Sequence, residues 1–281
     1  MGKPSVIVVN SLVARGSVGG RASVFALERL GFPVVFVPTV VLPWHPGHGR
    51  ATRIAPDGAT FAALLADIAA TPWLGSVGAV LTGYFGAADQ VASAAGLVAA
   101  VKAANPSAIA LCDPNIGDAG SLFQPEAVGA AIRDRLLPLA DIATPNRFEL
   151  NWLTNTAADP VSAARRLGPD EVLVTSADAD TAGQTIDTLV VAAGDPFRLT
   201  HRWLPHNTVH GTGDLFAALY LGHRLDGAAP ERAAAHAAGA VLAMIDAADA
   251  GGLDEIPLAA GQDAILAPPA GVTIEKISPA N

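Results

Sequence analysis

The sequence predicts an α/β domain in which helices cover a central, mostly parallel sheet. Three observations carry that reading. Short continuous apolar runs, each of strand length, are bounded by turn residues, as strands buried on both faces are. Helical stretches lie between these runs, which is the alternation of βαβ units. The composition is 51% hydrophobic and 15% charged, with many alanines, and this suits helices packed closely on a buried sheet.

Strands are expected at residues 5–9, 34–37, 77–82, 108–112 and 172–175, with helices at 18–30, 59–70, 88–104 and 125–137. The segments 187–193 and 198–203, joined through Gly194-Asp195-Pro196, read instead as an antiparallel pair near one sheet edge. Two long helices, 213–224 and 230–248, close the chain. With no internal repeat and no low-complexity linker, residues 1–281 read as a single domain. The prolines and glycines of loop 43–50 argue against regular structure there, and 117–124 is a second such loop. Both follow strands or their extensions, and ligands of open α/β sheets bind beyond the carboxyl ends of strands. They are candidate walls or lids of a site.

A formal charge of −9 argues against a nucleic-acid or anionic-membrane partner, since both call for clustered Lys and Arg. Cys112 is the only cysteine, so no internal disulfide is possible and a reducing cytosol is the natural assumption. A buried strand residue is its expected role. No segment reads as a membrane span, and the expectation is a soluble cytoplasmic protein.

Gly211-Thr212-Gly213-Asp214, followed at once by Leu215-Phe216-Ala217-Ala218-Leu219, says most about chemistry. The glycines allow a sharp turn with exposed amides, and the following helix adds the positive end of its dipole, so an anion fits there. Asp214 lies in the first turn. A carboxylate so placed can take a proton from a hydroxyl while the amides stabilise a transferring phosphoryl group, which reads as a small-molecule kinase. The competing reading is that Asp214 only helps to begin the helix.

Other polar groups fall at predicted strand ends. Asp113 and Asp118 bracket Pro114-Asn115-Ile116-Gly117 and suit Mg²⁺, although aspartates beside proline and glycine are usually turn formers. Asn146 to Glu149 has the spacing of a capping box, or Glu149 reaches the metal through water while Asn146 faces phosphate. Thr175 and Ser176 offer hydroxyls on the same rim, for nucleotide contact or for satisfying backbone. Asn10-Ser11 is expected to end the first strand. Tyr84 is a core or a substrate residue. His45 and His48 lack a third ligand at convincing spacing and read as loop or substrate contacts. Trp44 offers an indole face to an aromatic ring, or packs on the surface or a neighbouring subunit. Neither G-x-G-x-x-G nor the P-loop signature is present, which disfavours a Rossmann dehydrogenase.

Taken in order, these segments resemble the pyridoxal kinase family of the ribokinase-like superfamily. The likeness runs through Ser11, Arg15-Gly16-Ser17-Val18-Gly19, Leu30-Gly31-Phe32, Thr39-Val40 and His45. It continues through Thr82-Gly83-Tyr84, Cys112-Asp113-Pro114, Gly117-Asp118, Leu137-Pro138-Leu139-Ala140-Asp141-Ile142, Thr144-Pro145-Asn146 with Glu149, and Gly211-Thr212-Gly213-Asp214. The resemblance implies a three-layer αβα ribokinase-like domain, usually a homodimer, that transfers the γ-phosphoryl of ATP to the 5′-hydroxymethyl of pyridoxal or a related B6 vitamer. It implies Asp214 as base and Gly211, Thr212 and Gly213 as the anion hole. Ser11, Val18, His45 and Tyr84 would surround the acceptor, with Trp44 beside them. Asp113, Asn146, Glu149, Thr175, Ser176 and Thr212 would form the nucleotide side. Asp118 and Glu149 would govern Mg²⁺, and Thr144 and Thr175 would help to place a monovalent cation such as K⁺.

Gly20 stands where the family commonly has asparagine, Asn115 where an aliphatic residue is usual, and Pro43, Trp44 and Pro46 replace a more polar setting around His45. Two other readings stay open. One is a kinase of hydroxymethylpyrimidine or another small alcohol; the other is a protein that binds nucleotide or pyridoxal phosphate without turnover.

Overall fold

Val6 and Val8 of the first strand, β1 (Ser5–Val13), join the core on one side of the sheet, and Ile7 and Val9 join the core on the other, as a period of two requires. The structure is a computed structural model describing residues 2–118, 120–204 and 209–277. After β1 come α1 (Gly20–Arg29), β2 (Val34–Leu42), α2 (Gly58–Ala69), β3 (Val77–Thr82), α3 (Ala88–Ala104) and β4 (Ile109–Cys112). A hairpin of β5 (Gly117–Asp118) and β6 (Ser121–Leu122) precedes α4 (Glu126–Ala131), β7 (Ile142–Ala143), α5 (Arg147–Thr154), α6 (Pro160–Leu167) and β8 (Glu171–Val174). The chain continues with β9 (Ala179–Asp180), β10 (Thr185–Val191), β11 (Phe197–Arg202), α7 (Thr212–Leu225), α8 (Pro230–Gly251), α9 (Gln262–Leu266) and β12 (Thr273–Lys276).

The main sheet has ten strands in the order β12-β11-β10-β8-β7-β4-β3-β1-β2, with β9 paired to β10. Every pairing from β2 across to β8 is parallel, and the pairs β8–β10, β10–β11 and β11–β12 are antiparallel. Side chains of α1, α7, α8 and α9 fill the core on one face. Those of α2, α3 and α4 fill the other, and α5 and α6 extend that layer over β8 and β10. This is the expected αβα architecture. The helix α8 is long and apolar enough to cross a membrane by length and composition, but its alanine-rich face is buried with α7 in the core.

Several boundaries differ from the sequence reading. Asn10 and Ser11 do not end β1. Beyond Val9, the last residue of β1 paired with β3, the strand runs on to Val13 along β2 alone, with a register shift between Asn10 and Leu12. The first helix starts at Gly20 and not at 18, because Gly16 and Gly19 take positive φ. The expected helix 125–137 is broken after α4 into a π turn, Ile132–Leu136, and a 3-10 turn, Leu137–Leu139, where Pro138 lacks a donor.

Loop 43–50 does hold a short 3-10 turn, Pro46–His48, because Pro46 occupies a first helical position where no donor is needed. Loop 117–124 carries the β5–β6 hairpin, with Ala119 outside the described residues. The short elements α6, β7, β9 and β12 were not expected. β7 and β9 have two residues each, and β12 is exposed throughout, so none of these three strands shows a strong buried period.

Candidate active site

The turn before α7 requires glycine: Gly211 has φ 89°, and a Cβ there would overlap the carbonyl oxygen of Ser17. Thr212 and Gly213 open the helix, so Asp214 falls in its first turn. Its carboxylate is buried and reaches across to other elements. Oδ2 accepts the amide of Gly19 at 2.8 Å, and Oδ1 accepts Nδ2 of Asn10 at 3.0 Å. Burial raises the pKa of Asp214, and the bonds from Gly19 and Asn10 draw it back down. The result is a carboxylate beside a helix N-terminus, joined directly to the glycine-rich segment that precedes α1.

That segment collects the acceptor-side candidates. Ser11 is buried on β1, its Oγ so close to Gly19 that a Cβ there would overlap it. Val18 packs with Val13, Val40, Leu42 and Tyr84. Tyr84 donates its backbone N–H to Asn10 Oδ1 at 3.0 Å, and its hydroxyl accepts from Arg53 Nη1 at 2.9 Å. The ring of His45 lies 4.1 Å from that of His210, which brings loop 43–50 beside Gly211. Burial and the neighbouring His210 lower the pKa of His45. Trp44 is 38% exposed, and its indole N–H donates to Gly49 O at 3.3 Å, closing the loop on itself.

The other candidates gather at the ends of β4, β7 and β8. Asp113 is buried and accepts from Thr144 Oγ1 at 2.8 Å. Burial first, then Glu149 and Asp214, push its pKa well up. Glu149 accepts from Ile116 N at 2.7 Å and Asn146 N at 3.0 Å, while Asn146 Oδ1 accepts from Glu149 N at 2.9 Å. The capping box is therefore formed, and Glu149 is buried, its pKa pushed up to about 7 chiefly by that burial. Asn146 also donates to Gly117 O at 2.8 Å and bridges to Thr175. Ser176 follows with φ 49°, a left-handed turn off the sheet. Asp118 is exposed on β5. No group of three or more His, Cys, Asp or Glu side chains that could hold a metal occurs among the described residues. Cys112 is buried, as expected.

Two residues escaped the sequence reading. Asn10 lies between Asp214 and Tyr84, and the only signal was an amide following an apolar strand. Glu255 accepts from Ser17 N and contacts His48, tying the glycine-rich segment before α1 to loop 43–50; nothing in its local sequence marks it. A cavity of about 360 Å³ lined by Arg232, His236 and Val272 holds none of the candidate groups.

The family model described as phosphomethylpyrimidine kinase matches residues 75–258. The pyridoxal kinase PdxY of Rubrobacter xylanophilus is 36% identical over 284 residues, covering 98% of each chain. The chain belongs to the pyridoxal kinase family. The corresponding protein of Granulibacter bethesdensis is 38% identical over 92% of this chain and 95% of its own. The structure of pyridoxal kinase from Leishmania donovani in complex with ADP and pyridoxamine superposes with a TM-score of 0.89, at 28% identity, covering 98% of this chain and 100% of that one.

Two departures from the pyridoxal kinase pattern have local causes here. A Cβ on Gly20 would overlap the ring of Phe36, so the asparagine common in the family has no room. Asn115 has φ 48°, a left-handed conformation that an asparagine tolerates and a branched aliphatic residue does not.

Proposed function

We infer that this chain is an ATP-dependent pyridoxal kinase, which transfers the γ-phosphoryl of ATP to the 5′-hydroxymethyl of pyridoxal or a related B6 vitamer. The observation that carries the reading is the join between Asp214 and the acceptor-side segment, through Gly19 and Asn10. A base for an alcohol must touch both the helix N-terminus that receives phosphoryl charge and the chain that holds the alcohol. Asp214 takes the hydroxyl proton as that oxygen attacks the γ-phosphorus, and the Pγ–O bond to ADP breaks. Its raised pKa makes it the stronger base. The amides at Gly211, Thr212 and Gly213 stabilise the charge on the transferring group.

Ser11, Val18, Trp44, His45 and Tyr84 are proposed to surround the acceptor, and Asp113, Asn146, Glu149, Thr175, Ser176 and Thr212 the nucleotide. Asp113, Asp118 and Glu149 offer oxygen donors only, and Asp113 and Glu149 are buried with raised pKa values. Such a set fits a hard cation that relieves carboxylate repulsion. Mg²⁺ would be held by Asp118, and by Glu149 through water, since N–H groups bond both Glu149 oxygens. When bound it neutralises phosphate charge. Thr144 and Thr175 offer oxygens suited to K⁺. The proposal extends to residues 1–281 acting as one domain, with loops 43–50 and 117–124 as site walls, in a cytoplasmic homodimer.

An ATP-dependent assay over pyridoxal, pyridoxine, pyridoxamine and hydroxymethylpyrimidine tests the reading. Phosphorylation of a B6 vitamer in preference to the pyrimidine is expected. Transfer to the pyrimidine alone, or nucleotide binding without transfer to any acceptor, would overturn it.

A further inference from the structure

Asn10 is fully buried in β1, and both its side-chain oxygen and its side-chain nitrogen are hydrogen-bonded. Its Oδ1 accepts the backbone N–H of Ser11 at 2.8 Å and of Tyr84 at 3.0 Å. Two converging N–H groups need an acceptor, so they settle which way round the amide sits. Its Nδ2 is thereby turned to Asp214 Oδ1, 3.0 Å away. Gly83 closes over it: a Cβ there would overlap Cγ, Oδ1 and Nδ2 of Asn10 together. The amide has one place to be.

We propose that Asn10 is a positioning residue that sets the orientation of the base Asp214 relative to the acceptor-holding backbone at Ser11 and Tyr84, an inference that rests on the kinase reading above. Each oxygen of Asp214 takes one fixed donor, Asn10 Nδ2 on Oδ1 and Gly19 N on Oδ2, which leaves further lone pairs aimed in a set direction. Ser11 and Tyr84 lie on different strands or their extensions, and one rigid planar group spans both and the base. Displacement of either backbone segment would carry Asp214 with it, so acceptor and base keep a common frame. The ionisable group that faces Asp214 from the end of β4 is Asp113.

Asn10→Asp tests this, because it keeps the shape and the accepting oxygen while setting a carboxylate oxygen against Asp214. Two buried carboxylates in contact share a proton. The acid limb of the pH–rate profile should be displaced upward by about one pH unit, so that on that limb kcat falls up to about tenfold, with recovery in more alkaline buffer and an unchanged KM for ATP. A profile superimposable on that of the wild type would overturn the proposal. Asn10→Ser supplies a readout without turnover, since serine is too short to reach Asp214. The Asp214 carboxyl, followed by ¹³C NMR and assigned against Asp214→Asn, should titrate higher in Asn10→Ser than in the wild type, and an equal midpoint would overturn the proposal. Absence of transfer by the wild type would instead defeat the kinase reading, and the NMR titration would still decide the role of Asn10.

Discussion

The ring of His48 lies 3.1 Å from Glu255, Nε2 to Oε1, and this contact closes loop 43–50 onto the chain that follows α8. The same carboxylate accepts from Ser17 N, and His48 Nδ1 lies 3.4 Å from Asp254. If loop 43–50 walls the acceptor, Glu255→Ala should raise KM for pyridoxal several-fold, roughly 1 kcal/mol of lost positioning, and leave KM for ATP unchanged. Steady-state kinetics with each substrate varied in turn checks this. Equal shifts in both constants would show a general loosening instead.

Asp214→Asn keeps size and part of the hydrogen bonding but removes the proposed base. Turnover should fall by about 10²–10⁴ with nucleotide affinity largely retained. Near-normal turnover in a folded variant would remove Asp214 from the chemistry.

If Glu149 serves the metal, its burial links metal use to pH. Its folded pKa of about 7 stands above the ordinary 4.5, so the folded state binds the proton more tightly than the unfolded chain does. Its contribution to stability is fully present below pH 4.5 and lost as pH rises through about 7. Thermal melts of the metal-free protein across that window should show a decline that is smaller in Glu149→Gln, the remainder coming from Asp113 and Asp214, whose pKa values are also raised. Asp118→Asn and Glu149→Gln should both raise the Mg²⁺ concentration needed for activity. An unchanged Mg²⁺ requirement in both variants would reject their role at the metal.

Trp44 is tied by its N–H to Gly49 and exposes 38% of its surface. If its face covers the acceptor, Trp44→Ala should weaken pyridoxal binding and spare ATP. Calorimetric titration with each ligand, together with sedimentation, separates this from a subunit contact, which would cost dimer and leave pyridoxal affinity unaltered.

Gly20→Asn, which restores the residue common in the family, should destabilise the protein by about 1–3 kcal/mol through overlap with Phe36. The double variant with Phe36→Ala should lose less than the sum of the two single changes, a coupling that denaturant unfolding can measure. Additive losses would mean that Phe36 is not the cause.

The parallel strands were legible because they are buried on both faces: β3 has no exposed position, and such runs stand out from their polar surroundings. The antiparallel pair β10 and β11 was legible through its Gly-Asp-Pro turn. Their ends were less so. Whether β1 stops at Val9 or runs to Val13 depends on which neighbour continues beside it, and that is a property of the sheet. β12 did not register because every position in it is exposed.

The sequence by itself determined the α/β class with its mostly parallel sheet and the identity of the polar groups at the strand ends, since apolar periodicity and turn chemistry are local, and its ordered motifs carried the resemblance to the family. Only the tertiary structure decided what those groups touch. It made Asn146 and Glu149 a capping box within reach of Ile116, turned Gly20 against Phe36, and set Asn10 between Asp214 and Tyr84, 204 and 74 residues away along the chain. Contacts at such separations arise when βαβ crossovers bring strand ends to one rim, and no window of neighbouring residues holds that information.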